Sequence, residues 1–169
     1  MVSLKEAIAE KHSIAERKEF NQRMYSGNMS KEDYLHYLIQ QYHIFKEIET
    51  RDLPSQTLVR RENVKQDIIE LGGFIFSPLK STEEYRAYLS SIDQDSLLAH
   101  VYLNYLALVY GGQMMKSKVP GSGKMYEFED KQTAITSIRA IQQDSWADEA
   151  NIGLDYVIKI YDELQNYPG

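Results

Sequence analysis

The stretch His100-Val101-Tyr102-Leu103-Asn104-Tyr105-Leu106-Ala107-Leu108-Val109-Tyr110-Gly111-Gly112-Gln113-Met114-Met115 sets two adjacent glycines within a long apolar segment of helical character. Each glycine inside a helix costs about 1 kcal/mol relative to alanine. Such a pair is tolerated where something must approach the backbone closely or where the helix must bend. A flat, bulky ligand lying against the helix supplies both reasons. The competing reading is that the helix ends at Gly111, since glycine commonly follows a helix C-terminus. Local sequence weighs the two about equally, and a histidine far away in the chain tips the balance.

Other helical segments frame this one. Ser3-Leu4-Lys5-Glu6 reads as a capping box opening a first helix that extends to about Tyr25, where Ser26-Gly27-Asn28 stops it. Ser30 to Asp33 caps a second, with Leu35, Leu38, Ile39, Tyr42 and Phe45 along one face and Asp52-Leu53-Pro54 at its end. A third is predicted from Val59 to Leu71, closed by Gly72-Gly73, and a short one from a Ser81-Thr82-Glu83-Glu84 start through Ser90. The glycine-containing helix is predicted from Asp93 to about Lys118, followed by the loop Pro120-Gly121-Ser122-Gly123. Two more are predicted, from Glu129 to Gln143 and from Trp146 to Asn166. Strand-like alternation is nearly absent and no linker or repeat divides the chain, so the expectation is one all-α domain over residues 1–169.

The composition of this 169-residue chain narrows the chemistry. The absence of cysteine excludes disulfides, thiolate catalysis, iron–sulfur clusters and cysteine-bound zinc. A net charge of −6 argues against general nucleic-acid binding, which needs a positive field. No apolar run reaches membrane-spanning length and no secretory leader is recognisable, so a cytoplasmic location is expected. Thirteen tyrosines are unusual, and a core rich in phenols could frame a polar ligand or ordered water, although most are expected on half-exposed faces.

Of the four histidines, His12 shares the stripe Leu4, Ile8, His12, Ala15 and is expected to face inward. Glu16 lies one turn on, where its carboxylate could fix the tautomer of a metal-bound imidazole. His36 and His43 share a face with Glu47, but such spacings arise readily by chance and are read as structural or surface positions. No His-Glu-x-x-His motif, paired Glu-x-x-His set or phosphate-binding glycine pattern is present, which disfavours zinc hydrolase, di-iron and nucleotide chemistry.

Four blocks in order along the chain resemble the haem oxygenase family. They are Leu4-Lys5-Glu6-Ala7-x-x-Glu10-x-His12-x-x-Ala15-Glu16, Tyr42-His43-Ile44-Phe45, His100-x-Tyr102-x-x-Tyr105-Leu106 with Gly111-Gly112-Gln113, and Ile158-x-Ile160-Tyr161-Asp162-Glu163-Leu164. Together they are specific and span nearly the whole chain. The resemblance implies a haem-oxygenase-like helical bundle with haem as both substrate and prosthetic group. His12 would be the axial iron ligand, with Glu16 orienting it. Gly111 and Gly112 would let the distal helix lie close over the haem and steer oxygen. Lys5, Tyr102 and Arg139 would hold the propionates, and Tyr42, Tyr110 and Gln113 would support distal water.

The resemblance further implies cleavage of haem to biliverdin IXα with release of ferrous iron and carbon monoxide. Electrons would come from ferredoxin or another external reductase, and a bilin reductase would consume the product. Lys5, Lys11, Arg17, Lys18, Lys116 and Lys118 could steer an acidic donor, though most such side chains are ordinary solvated charges. One departure stands out. Many members carry an aspartate three residues before the first glycine, anchoring a water network for proton delivery, and here that residue is Leu108. The plastid branch also lacks this aspartate. Leu108 therefore keeps open a second reading, a haem-binding protein without turnover. A third, a thiaminase-like or di-iron member of the same architecture, requires carboxylate or His–carboxylate clusters that the sequence does not offer.

Overall fold

The computed structural model describes residues 2–167. Eight α-helices account for its regular structure: α1 (Leu4–Glu16), α2 (Glu19–Ser26), α3 (Lys31–Ile48), α4 (Arg61–Glu70), α5 (Lys80–Ser91), α6 (Gln94–Lys116), α7 (Lys131–Arg139) and α8 (Ala147–Asn166). Short 3-10 turns occupy Gln56–Leu58, Lys124–Tyr126 and Asp144–Trp146, and no strand occurs among the described residues. The all-α expectation holds.

Helices α6 and α8 pack against each other and organise the rest. Helix α8 also carries α1, α2 and α5 on its other faces, while α3 is covered by α4 and α5. The main core contains Phe20, Tyr34, Leu38, Phe45, Ile68, Tyr85 and Tyr105, all almost completely buried. A smaller core of Leu4, Ile8, Ala15, Ala99, Trp146, Ala150 and Leu154 seals α1 against α8. Burying a large apolar side chain contributes about 1.5–3 kcal/mol, so the all-apolar face of α1 is its main attachment.

The predicted first helix is in fact two. The Glu16 carbonyl accepts side-chain hydrogens from Asn21 Nδ2 (3.3 Å) and Gln22 Nε2 (2.7 Å) in place of the next backbone N–H. Lys18 is extended (ψ 136°), which turns the chain before α2 begins. Gly27 then ends α2 in the left-handed region (φ 78°), as a glycine C-cap should.

Caps explain several other boundaries. Ser3 Oγ accepts from Glu6 N–H and Ser30 Oγ from Asp33 N–H, as the sequence predicts. The Ser81 start for α5 is corrected. The helix begins a residue earlier, and Ser81 donates its N–H (2.8 Å) and hydroxyl (2.6 Å) to Glu163 of α8. Likewise α4 begins at Arg61, not Val59: Glu49, the C-cap of α3, accepts the N–H groups of Arg60 (2.8 Å) and Arg61 (3.1 Å). Helix α7 is shorter than predicted, starting beyond Asp130, whose carboxylate accepts from Thr133 N–H, and ending at Arg139.

Helix α6 continues through Gly111 and Gly112 without interruption, so the reading in which Gly111 ends the helix is corrected. Its close neighbour at Gly112 is the segment around Tyr126. That segment is fixed by Asp67, which accepts from the N–H groups of Lys124 and Met125, and by Arg60. The buried Arg60 guanidinium donates to the carbonyls of Leu58, Val59, Met125 and Glu127, and stacks 3.7 Å from the Phe128 ring centroid. No helix among the described residues is long and apolar enough to cross a membrane.

Candidate functional site

Between α1, α2, α3, α6 and α8 lies a cleft of about 170 Å3, its outer part open to solvent. Most of its wall is apolar, with Ala15, Met24, Ile44, Leu103, Leu108 and Ile160 among the lining residues. Besides His12 and Glu16, the polar side chains are Asn21, Gln41, Asn104 and the hydroxyl-bearing Tyr25, Tyr37, Tyr126 and Tyr161. A largely apolar cavity with a handful of placed polar groups is the usual form of an organic-ligand site.

His12 stands at this cleft on α1, with half of its side chain exposed, so the inward-facing expectation is corrected to a position at the cleft wall. Its Nδ1 lies 2.9 Å from Glu16 Oε1, the i to i+4 partner one turn later. That contact commits one ring nitrogen and leaves Nε2 without a protein partner among the described residues. An imidazole so oriented is suited to ligate a metal through Nε2. Among the described residues no group of three or more His, Asp or Glu side chains is placed to hold a metal ion.

Gly111 faces the same cleft from α6, and a Cβ there would have no neighbour nearer than Met115 Cγ at 3.9 Å. The backbone at this point is therefore bare toward the cavity. Gly112 points the other way. A Cβ at that residue would come within 3.0 Å of the Tyr126 carbonyl oxygen, so its glycine serves helix-to-loop packing. The pair thus divides its duties between cavity and core.

The structure brings together His12, Glu16 and Gly111, and it disperses the remaining expected residues. Tyr42 packs on the core, and its neighbour Gln41 lines the cleft instead. Gln113 lies in a second, polar depression with Arg60, Asn63, Lys116 and Glu127. Tyr110 is exposed, and the Arg139 guanidinium sits 5.5 Å from its ring while also donating to Gln142. Tyr102 packs beside Trp146, and Lys5 is exposed on α1 two turns before His12. None of these six lines the main cleft. His43 Nε2 contacts the Phe76 carbonyl at 2.7 Å and His36 packs on Tyr167, consistent with structural roles.

Reading residue by residue missed the phenols and amides of the wall. Burial holds the hydroxyl protons of Tyr37 and Tyr126 well above the ordinary tyrosine range and that of Tyr161 up to about 12, so these groups stay neutral hydrogen-bonding partners. Asn104, Ala107, Leu108, Gly111 and Met115 recur at helical spacing on one face of α6, a signal the sequence does contain.

Comparison with known proteins gives the chain a family and a fold. A sequence model of the family described as Heme oxygenase matches residues 1–149. Heme oxygenase 1 of Bos taurus is 28% identical over 155 residues, covering 75% of this chain. The chain spans about half (52%) of that relative's length. Heme oxygenase-1 of the cyanobacterium Synechocystis, solved in complex with heme, superposes with a TM-score of 0.80 at 22% identity, covering 96% of this chain and 90% of its own. Heme oxygenase from Leptospira interrogans gives a TM-score of 0.80 at 23% identity, covering 95% and 97% respectively. At these identities the structural likeness establishes the fold.

Proposed function

The chain belongs to the haem oxygenase family, and from that premise we propose that it binds haem in the cleft and cleaves it oxidatively to biliverdin, the IXα isomer, with release of ferrous iron and carbon monoxide. The observation that carries this reading is the His12–Glu16 pair, 2.9 Å apart, on a cleft whose α6 wall is bare backbone at Gly111. The residues fit a planar, mostly apolar ligand with a metal at its centre: one oriented imidazole, a side-chain-free helix face and a largely hydrocarbon lining.

When bound, haem supplies the oxygen-activating centre and is itself the ring that is opened. This chain's residues have the tasks of ligation, orientation and water control. His12 Nε2 would ligate the haem iron, and Glu16 would hold the imidazole in the tautomer that presents it. Gly111 would leave room for a flat ligand against the α6 backbone, where a side chain would take up that space. Met24, Ile44, Leu103, Leu108 and Ile160 exclude bulk water from the buried part of the ring. Lys5 is the proposed propionate partner on α1, as a charge-assisted contact. Tyr102 and Arg139 would reach propionates only by leaving Trp146 and Gln142.

The reaction needs electrons from outside, and a ferredoxin-type donor in the cytoplasm is the proposed source. Lys11, Lys18 and Lys116 are engaged with Asp155, Asp162 and Glu127. Lys5, Arg17 and Lys118 make no ion pair among the described residues and are the better candidates for steering an acidic partner.

Leu108, buried at the cleft wall, favours one alternative, a haem-binding protein on the same fold that does not turn over. One experiment separates the two. The purified chain is mixed with haem, then supplied with ferredoxin, its reductase and NADPH while spectra are followed. A Soret band that decays into biliverdin absorption supports the oxygenase. A Soret band that persists under reduction supports the binder, and absence of any Soret shift on mixing sinks both.

A further inference from the structure

A chain of buried and half-buried polar groups runs from α8 to the cleft wall, and its hydrogens follow from its partners. Asn104 Nδ2 lies 2.9 Å from the His100 carbonyl oxygen and 3.0 Å from the Tyr85 hydroxyl. A carbonyl only accepts, so the amide nitrogen must be the atom on that side and both of its hydrogens are engaged. Tyr85, having accepted from Asn104, donates its own hydrogen to His100 Nδ1 at 2.7 Å. His100 Nε2 lies 2.8 Å from Glu149 Oε2 and carries the remaining ring hydrogen. The Tyr88 hydroxyl approaches both Glu149 oxygens, at 2.8 and 2.9 Å, and steadies the carboxylate.

Every link therefore dictates the next, from carboxylate to imidazole tautomer to phenol to amide. Gly153 is what allows α8 this close: a Cβ there would lie 2.9 Å from His100 Nδ1 and 2.6 Å from Leu103 Cδ2. The end of the chain is Asn104, which lines the cleft one turn before Leu108. With both amide hydrogens turned inward, its Oδ1 is left as a bare acceptor on the cleft side.

We propose that Asn104 Oδ1, locked toward the cleft by Tyr85, His100 and Glu149, is the acceptor that orders water over the bound ring, one helical turn from the leucine that cannot. Asn104 is thus a positioning residue acting through water, and Tyr85, His100 and Glu149 act through Asn104. This rests on the haem reading above. The purely structural account, in which the network only cements α5, α6 and α8, predicts the same loss of stability on mutation but no change in the cleft's acid–base behaviour.

The test reads the pH midpoint of the acid–alkaline spectral transition of the ferric haem complex in the wild type, Asn104→Leu, Tyr85→Phe and a surface control, Ser90→Ala. An acceptor stabilises the more protonated state, so Asn104→Leu should lower the midpoint by roughly half a pH unit or more, the equivalent of one ordinary hydrogen bond. Tyr85→Phe frees the amide to rotate and should shift it the same way by less, with Ser90→Ala unchanged. If Asn104→Leu does not fold, Tyr85→Phe alone decides the matter. In the haem-free protein, the two Asn104 side-chain amide hydrogens should be protected from exchange, and Tyr85→Phe should release them. Normal haem uptake with an unmoved midpoint overturns this proposal while leaving the functional reading intact. Failure of the wild type to take up haem overturns both.

Discussion

The Nδ1 of His12 and the Oε1 of Glu16 stand 2.9 Å apart across one turn of α1, although each side chain is about half exposed. A hydrogen-bonding contact in that setting adds little to stability, because water competes for both groups and two side chains must be held still. Its worth lies in aiming the ring.

Glu16→Gln should accordingly leave the melting temperature unchanged and weaken haem binding roughly tenfold or more, the usual effect of removing an orienting partner. His12→Ala should abolish the axial-histidine spectrum and nearly all turnover. Haem titration of the apo-protein with a parallel thermal melt checks both. A wild-type spectrum in His12→Ala would mean that the ligand lies elsewhere.

The twin glycines should respond in opposite ways to alanine. Gly111→Ala meets nothing nearer than 3.9 Å and gains helix propensity, so it should stabilise the apo-protein by up to about 1 kcal/mol while impairing haem uptake. Gly112→Ala drives its methyl to 3.0 Å from the Tyr126 carbonyl oxygen and should destabilise by about 1–3 kcal/mol. Equal stability changes in the two variants would contradict the division of labour described here.

Leu108→Asp places a carboxyl at a buried point of the cleft wall. Without a ready partner it should lower stability by about 1–3 kcal/mol. On the proposed function it should also change the rate of biliverdin formation in a pH-dependent way. A loss of stability with identical kinetics at every pH would place residue 108 outside the reacting volume.

Buried groups give the acid and alkaline ranges different pH dependences. Burial holds the proton affinity of His100 below the ordinary 6.5, although Glu149 opposes this. The unfolded chain therefore takes up a proton below 6.5 that the native state resists, and stability should fall as pH drops below that value. Glu49 and Asp67, raised by burial, act in the reverse sense nearer to pH 4. At the alkaline end Tyr34, Tyr37, Tyr105 and Tyr126 are raised well above 10, so the unfolded chain releases protons first. Each such phenol removes about 1.4 kcal/mol per pH unit above 10. Denaturant melts across both windows, with tyrosinate absorbance followed at the alkaline end, should show these phenols ionising only as the chain unfolds.

Local patterns made much of this fold legible. The Ser3 and Ser30 caps, the glycine stop at Gly27 and the i to i+4 pair of His12 and Glu16 are all short-range, and a reader of the chain can find them. Caps supplied from afar are invisible to such reading. Glu163 receives Ser81 across 82 positions, and Glu49 starts α4 from the end of α3. The break at Arg17–Lys18 is likewise set by side chains of the following helix. At the site, one residue of helical phase separates the expected Tyr42 from the observed Gln41. The Asn104–Tyr85–His100–Glu149 chain depends on helix neighbours that no periodicity reveals.

Arg60 never touches the cleft, yet the loop it clasps carries Tyr126 into the wall. One buried cation thereby acts as a rivet for a surface some distance off. Loosening it would strip several carbonyls of their donor and let the Tyr126 side of the pocket shift, so stability and ligand retention would fail together.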